Sequence, residues 1–234
     1  VPFSAVVKSH SSNALRRLEG VDMELQRNKL VNLRLASAQI NGLVVQPGET
    51  FSFWKLVGEP SAKRGYLDGL VISAGKLGGG RCQLANLRHW LVLNSPLTVT
   101  ELAHHSDALF PDSGRRVPFG TGTSVFYKNV DYRFKNTSDR PVQLLVWLDE
   151  SALYGELRAQ EPFPYIYRIT EEDQGYIEED GEFFRVSRVY RVTLDRERRI
   201  IRRELVLDNH SKVMYDYSLI PSSQIITPGL RRLT

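Results

Sequence analysis

At 234 residues, with 41% hydrophobic and 25% charged side chains, the chain suits one large domain or a domain with an appendage, and its composition excludes disorder and collagen-like repeats. A formal net charge of +4 and a pI near 9.2 favour an anionic partner such as a wall polymer, a lipid surface or nucleic acid. A single cysteine rules out an intrachain disulfide, and no apolar run approaches the roughly 20 residues needed to span a bilayer.

Residues 1 to 23 read as a lead-in. Their start, VPFSAVVKSHSS, lacks the charged, apolar and small-residue zones of a signal peptide, and localisation is not read from it. From Met23 to Ile40 apolar residues recur at helical spacing on two sides, Val31, Leu35 and Ala38 against Leu33, Ala36 and Ile40, which predicts a substantially buried helix stopped by Asn41-Gly42. LVVQPGETFSFWKLVG reads as strand, Pro-Gly turn, strand, with Phe51 and Phe53 on one side and Thr50 and Ser52 on the other. GYLDGLVISAGKL, 65 to 77, reads as a hairpin closing at SAGK, and a helix follows from Cys82 to Leu93, ended by NSP.

From LTVTELAHH onward the periodicity is two. TSVFYKNVDYRFKN, PVQLLVWLDE and ALYGELRAQ form an antiparallel meander, EPFPYIY is a link, TEEDQGYIEEDGE is an acidic loop, and 184 to 207 is a hairpin. In RERRIIRRE, arginines alternate with Ile200 and Ile201, which reads as a solvated strand face, and no nucleic-acid motif is present. The fold class is α+β, a largely antiparallel sheet with two main helices, with a domain over 24 to 162 and a C-terminal β-rich extension over 163 to 234.

The segments INGLVVQPGETFSFWKLVG, RGYLDGLVISAGKL, GGGRCQLANLRHWLVLNSPLTVTE, HHSDALFPDSGR and VDYRFKNTSDRPVQLLVWLD together resemble the VanW family, in order and at family spacing from about 24 to 160. Two departures stand out: Leu102 and Ala103 precede the histidine pair where members tend to carry basic or histidine residues, and the glycine run is short. The resemblance implies a bacterial cell-envelope protein linked to glycopeptide (vancomycin) resistance that acts on or around peptidoglycan or its precursors. It names no reaction, so the chemistry has to come from the residues.

Cys82 follows Gly78, Gly79, Gly80 and Arg81 at a predicted helix start, where unpaired N–H groups and the helix dipole favour a thiolate. Gln83 is a candidate oxyanion donor. The competing reading is a small buried hydrophobe beneath glycines that permit close helix packing. A third is an anion cradle formed by the glycines and Arg81. His89 shares the Cys82 stripe, but seven helical residues place it about 10 Å along the axis, too far for a direct partner. His104 and His105 end the strand after the helix and are the candidate bases; the resemblance points to His105.

Glu49 and Glu101 are candidate acids for glycosidic cleavage, with apolar neighbours that favour the protonated form. Glu101 or Asp112 could instead orient a histidine. Trp54, Tyr127 and Tyr132 are core aromatics or a stacking wall for sugars. No HxxxH, HExxH or CxxC spacing is present, and neither a metal nor another cofactor is expected. Three functions stay open: a Cys/His-dependent peptidoglycan enzyme, a carboxylic-acid glycan cleaver, and a wall-binding module without activity.

Overall fold

A computed structural model of the chain describes residues 1–15, 23–68, 80–104, 107–108, 111 and 117–226. The described residues divide into two compact units, the first of Val1–Ala103 and Thr123–Pro164, the second of His104–Gly122 and Tyr165–Thr234. The class is α+β, as the patterning predicts.

The first unit holds β1 (Ala5–Asn13), α1 (Met23–Ala38), β2 (Leu43–Val45), β3 (Thr50–Ser52), α2 (Phe53–Val57), α3 (Arg81–Leu93), β4 (Thr98–Glu101), β6 (Arg133–Lys135), β7 (Val142–Leu148) and β8 (Ala152–Ala159). The second holds β5 (Asp107–Ala108), β9 (Ile166–Glu179), β10 (Glu182–Leu194) and β11 (Ile200–Val213).

In the first unit one sheet runs β1-β8-β7-β2 and a smaller one β3-β6-β4, both antiparallel. Inward residues of β7 and β8 (Leu144, Val146, Leu153, Leu157) meet Leu84, Leu87 and Leu91 of α3 and Leu33 and Ala36 of α1 in one core. Gly155 lets α3 approach β8: a Cβ there would stand 2.9 Å from Leu87 Cδ2. On α1 Leu33 and Ala36 are fully buried, as is Ile40 just beyond the helix end at Ala38. Val31 and Leu35 are only half-buried and Ala38 is exposed, so the two-sided burial read from the pattern is one-sided.

Four elements differ from the sequence reading. The lead-in carries β1, an edge strand in register with β8 from Ala5↔Ala159 to Asn13↔Ala152. The strand through Phe53 stops at Ser52, whose hydroxyl accepts from Lys55 N–H and starts α2 instead. The expected strand TSVFYKNVDYRFKN is a turn between Phe126 and Val130 followed by the short β6. The acidic loop is strand: β9 runs through it beside β10, its acids answered by arginines, Glu172 by Arg203 at 2.5 Å and Asp173 by Arg188 at 3.5 Å. The hairpin expected at 65 to 77 lies mostly outside the described residues.

The second unit is a single sheet, β5-β11-β10-β9, in which β5 pairs parallel with β11 and the rest are antiparallel. Ala108, Phe119, Tyr176, Val213 and Ile220 form its own small core. Among the described residues no helix is long and apolar enough to cross a membrane.

Candidate functional site

The start of α3 is built by Gly80. Its φ of +97° is left-handed, a conformation that favours glycine, and it provides no side-chain cap for the first N–H groups of the helix. A Cβ there would stand 2.9 Å from Lys29 Cγ and 3.0 Å from Leu33 Cγ, so Gly80 also lets α3 begin against α1. Gly80→Ala is expected to cost about 1–3 kcal/mol through backbone strain and overpacking. Urea unfolding followed by tryptophan fluorescence checks this, since Trp54, Trp90 and Trp147 all lie in the first unit.

Cys82 is half-buried at this helix start, with Sγ 3.8 Å from the Val125 carbonyl oxygen. Arg81 lays its guanidinium over Trp54, 5.1 Å from the ring centroid. Burial pushes the Arg81 guanidinium down from its usual value, while Cys82 and the Tyr66 hydroxyl pull it back up. Tyr66 is itself buried with an unpartnered hydroxyl; burial raises its pKa against the opposing influence of Arg64 and Arg81. Tyr127 packs its edge on Trp54 at 5.4 Å. Cys82, Arg81, Tyr66, Trp54 and Tyr127 therefore form one neighbourhood around the positive end of α3.

Other candidates lie elsewhere or are engaged. The amide of Gln83, expected to face an oxyanion, instead donates to Ser12 Oγ and the Asn13 carbonyl, each at 2.8 Å, and ties α3 to the end of β1. Trp54 is buried, its Nε1 donating to the Val130 carbonyl at 2.7 Å, which makes it a core residue rather than an open sugar platform. Tyr132 is likewise fully buried. Exposed Glu49 closes its own turn by accepting from Gln46 N–H at 2.7 Å. Glu101 accepts from Asp131 N–H at 3.2 Å and pairs with Arg133 at 3.3 Å. His104 belongs to the second unit, with Nδ1 3.2 Å from the Gly120 carbonyl oxygen. His105, Asp112, Gly78 and Gly79 lie outside the described residues. His89 is buried, edge-on to Tyr132 at 5.5 Å.

Two groups escaped the sequence reading. Asp131 is a buried hub: Oδ2 accepts from Ser52 Oγ at 2.6 Å and Arg133 Nε at 2.7 Å, and Oδ1 from the N–H groups of Trp54 at 3.1 Å and Tyr132 at 2.9 Å. Burial alone would raise its pKa, but these four donors outweigh burial and hold it below the usual carboxylate value. Arg88 has no surface exposure, and its guanidinium sits over Phe51 and Phe53 at 5.6 and 5.5 Å. None of its guanidinium nitrogens finds a hydrogen-bond partner, and the Tyr132 hydroxyl close by is unpartnered too. Burial pushes Arg88 down to about 9, with Tyr132 opposing. Its position between Leu84 and Leu91 on the apolar face of α3 was the available signal.

The family described as VanW like protein matches residues 28–158, which include α3 and its neighbourhood. The chain belongs to the VanW family. One VanW relative, the Vancomycin B-type resistance protein VanW of Enterococcus faecalis (strain ATCC 700802 / V583), is 34% identical over 201 residues, 84% of this chain and 73% of the relative. A second, the uncharacterized protein YoaR of Bacillus subtilis (strain 168), is 30% identical over 115 residues, 47% of this chain and 36% of that protein. No solved structure matches this VanW chain.

Proposed function

We propose that this VanW-family chain is a bacterial cell-envelope protein tied to vancomycin resistance, and that it acts on peptidoglycan or its precursors through Cys82. The name of the Enterococcus relative supports the setting. The observation that carries the chemistry is a half-buried thiol at the uncapped start of α3 beside Arg81. The positive end of the helix and the neighbouring guanidinium suit the oxygen of an attacked carbonyl, where negative charge develops. Helical N–H groups serve as the oxyanion donors, because the Gln83 amide is spent on β1. The reaction class is attack of the Cys82 sulfur on an amide carbonyl of a stem peptide, which forms a thioester and expels the amine with the thiol proton, and water then hydrolyses the thioester to a carboxylate and the free thiol.

The glycan-cleaving alternative draws less support, since Glu49 closes a turn and Glu101 pairs with Arg133. The test is release of soluble muropeptides from purified sacculi by the wild-type chain and by Cys82→Ala and Cys82→Ser. Both variants are expected to lose release by at least about a hundredfold, as loss of a nucleophile does. Equal release by all three removes the thiol from the reaction.

A further inference from the structure

The turn joining β10 to β11 combines two features that a solvated strand face does not need together. The first is exposed aliphatic surface. Exposed Ile166 and Ile200 flank buried Leu194 in one cross-strand row at the end of the sheet. Ile200 is 67% exposed and the next residue, Ile201, 54% exposed. The β10–β11 register shifts here, Thr193 facing Arg202 and Leu194 facing Ile200, so Ile201 is the extra residue of a bulge and adds to the same exposed tip. Tyr165 and Ile166 at the start of β9 are exposed beside the row.

The second feature is uncompensated positive charge. Residues 195 to 204 contain five arginines and three acids. Asp195 and Glu197 both pair with Arg199, at 2.7 and 3.2 Å. Among the described residues Arg196 and Arg198 form no ion pair, and both are exposed. Arg198 also adopts a left-handed backbone, φ +64°, where glycine would sit without strain. An unpartnered arginine kept at a strained position directs attention to a partner outside the fold.

We infer that this tip docks on an anionic phospholipid membrane surface. Arg196 and Arg198 meet lipid phosphates, and Ile200, Ile201 and Ile166 enter the boundary between headgroups and acyl chains. Charge complementarity selects an anionic surface, and exposed isoleucines select a lipid over a soluble polyanion, which has no apolar phase to receive them.

The test is co-sedimentation of the full chain with vesicles of phosphatidylcholine alone and of phosphatidylcholine mixed with phosphatidylglycerol. Saturable binding to the mixed vesicles only, weakening as salt is added, is expected. Removing one arginine should lower affinity about fivefold at low ionic strength. Ile200→Ser with Ile201→Ser should abolish sedimentation at physiological salt. Arg198→Gly separates binding from folding: relief of backbone strain should hold or raise the melting temperature while vesicle affinity falls. Wild-type indifference to phosphatidylglycerol, capture by sacculi without vesicle binding, or variants that sediment like the wild type would each overturn the inference. The result is independent of Cys82.

Discussion

Asp131→Ala is expected to destabilise the first unit by roughly 3–5 kcal/mol, since three buried donors lose their acceptor at about 1–3 kcal/mol each. The substitution strands Ser52 Oγ and the N–H groups of Trp54 and Tyr132, which point at the missing carboxylate, while half-exposed Arg133 keeps Glu101. It also undoes the start of α2, because Ser52 both donates to Asp131 and accepts from Lys55 N–H. Asn is a poor substitute, since its NH2 would face donors. Urea unfolding followed by tryptophan fluorescence reports this unit alone. A midpoint unchanged from wild type would refute the hub role.

The same carboxylate sets an acid limb. Its folded pKa lies below the unfolded value of about 3.9. Its contribution is therefore fully present above that value and is lost as pH falls through the depressed folded value. Wild-type stability should fall on acidification below about pH 4 more steeply than that of Asp131→Ala, and the two curves should converge.

Arg88→Met should have the opposite sign. A guanidinium with no exposure and no hydrogen-bond partner has lost its hydration, and two aromatic faces return only part of it. An apolar chain of similar length fills the space without that penalty, so a gain of about 1–4 kcal/mol is expected. The pH dependence identifies the cause. With the folded pKa pushed down to about 9, the charged form is penalised in full below that pH. Above it the folded chain sheds the proton that the unfolded chain keeps, and stability recovers. The advantage of Arg88→Met should therefore shrink as pH rises past 9. An advantage constant with pH, or a lower melting temperature, would mean that the charge stabilises the fold.

The parts of the fold written in local periodicity were legible. Helices α1 and α3 and the pairs β7–β8 and β10–β11 follow from apolar spacing and turn residues, and the resemblance placed the chain in the right family. What the sequence concealed depends on distant partners. The acids of β9 read as loop until the arginines of β10 and β11 stand opposite them. Phe53 continued a strand until Asp131, 78 positions on, completed the N-cap of α2 through Ser52. At the candidate site the helix start and Cys82 were legible, whereas the commitment of Gln83 to β1 was not, because β1 itself was hidden in polar residues.

The pairing of β1 with β8 has a consequence for how the chain is made. Residues 5 to 13 emerge from the ribosome well before 152 to 159, the strand they pair with. At synthesis rates of 5–20 residues per second the early segment waits roughly 7–30 s for its mate. A sticky apolar ribbon would spend that interval seeking other nascent chains. The segment KSHSS, hydrophilic and carrying a lysine, suits an element that must stay idle without aggregating until its turn comes.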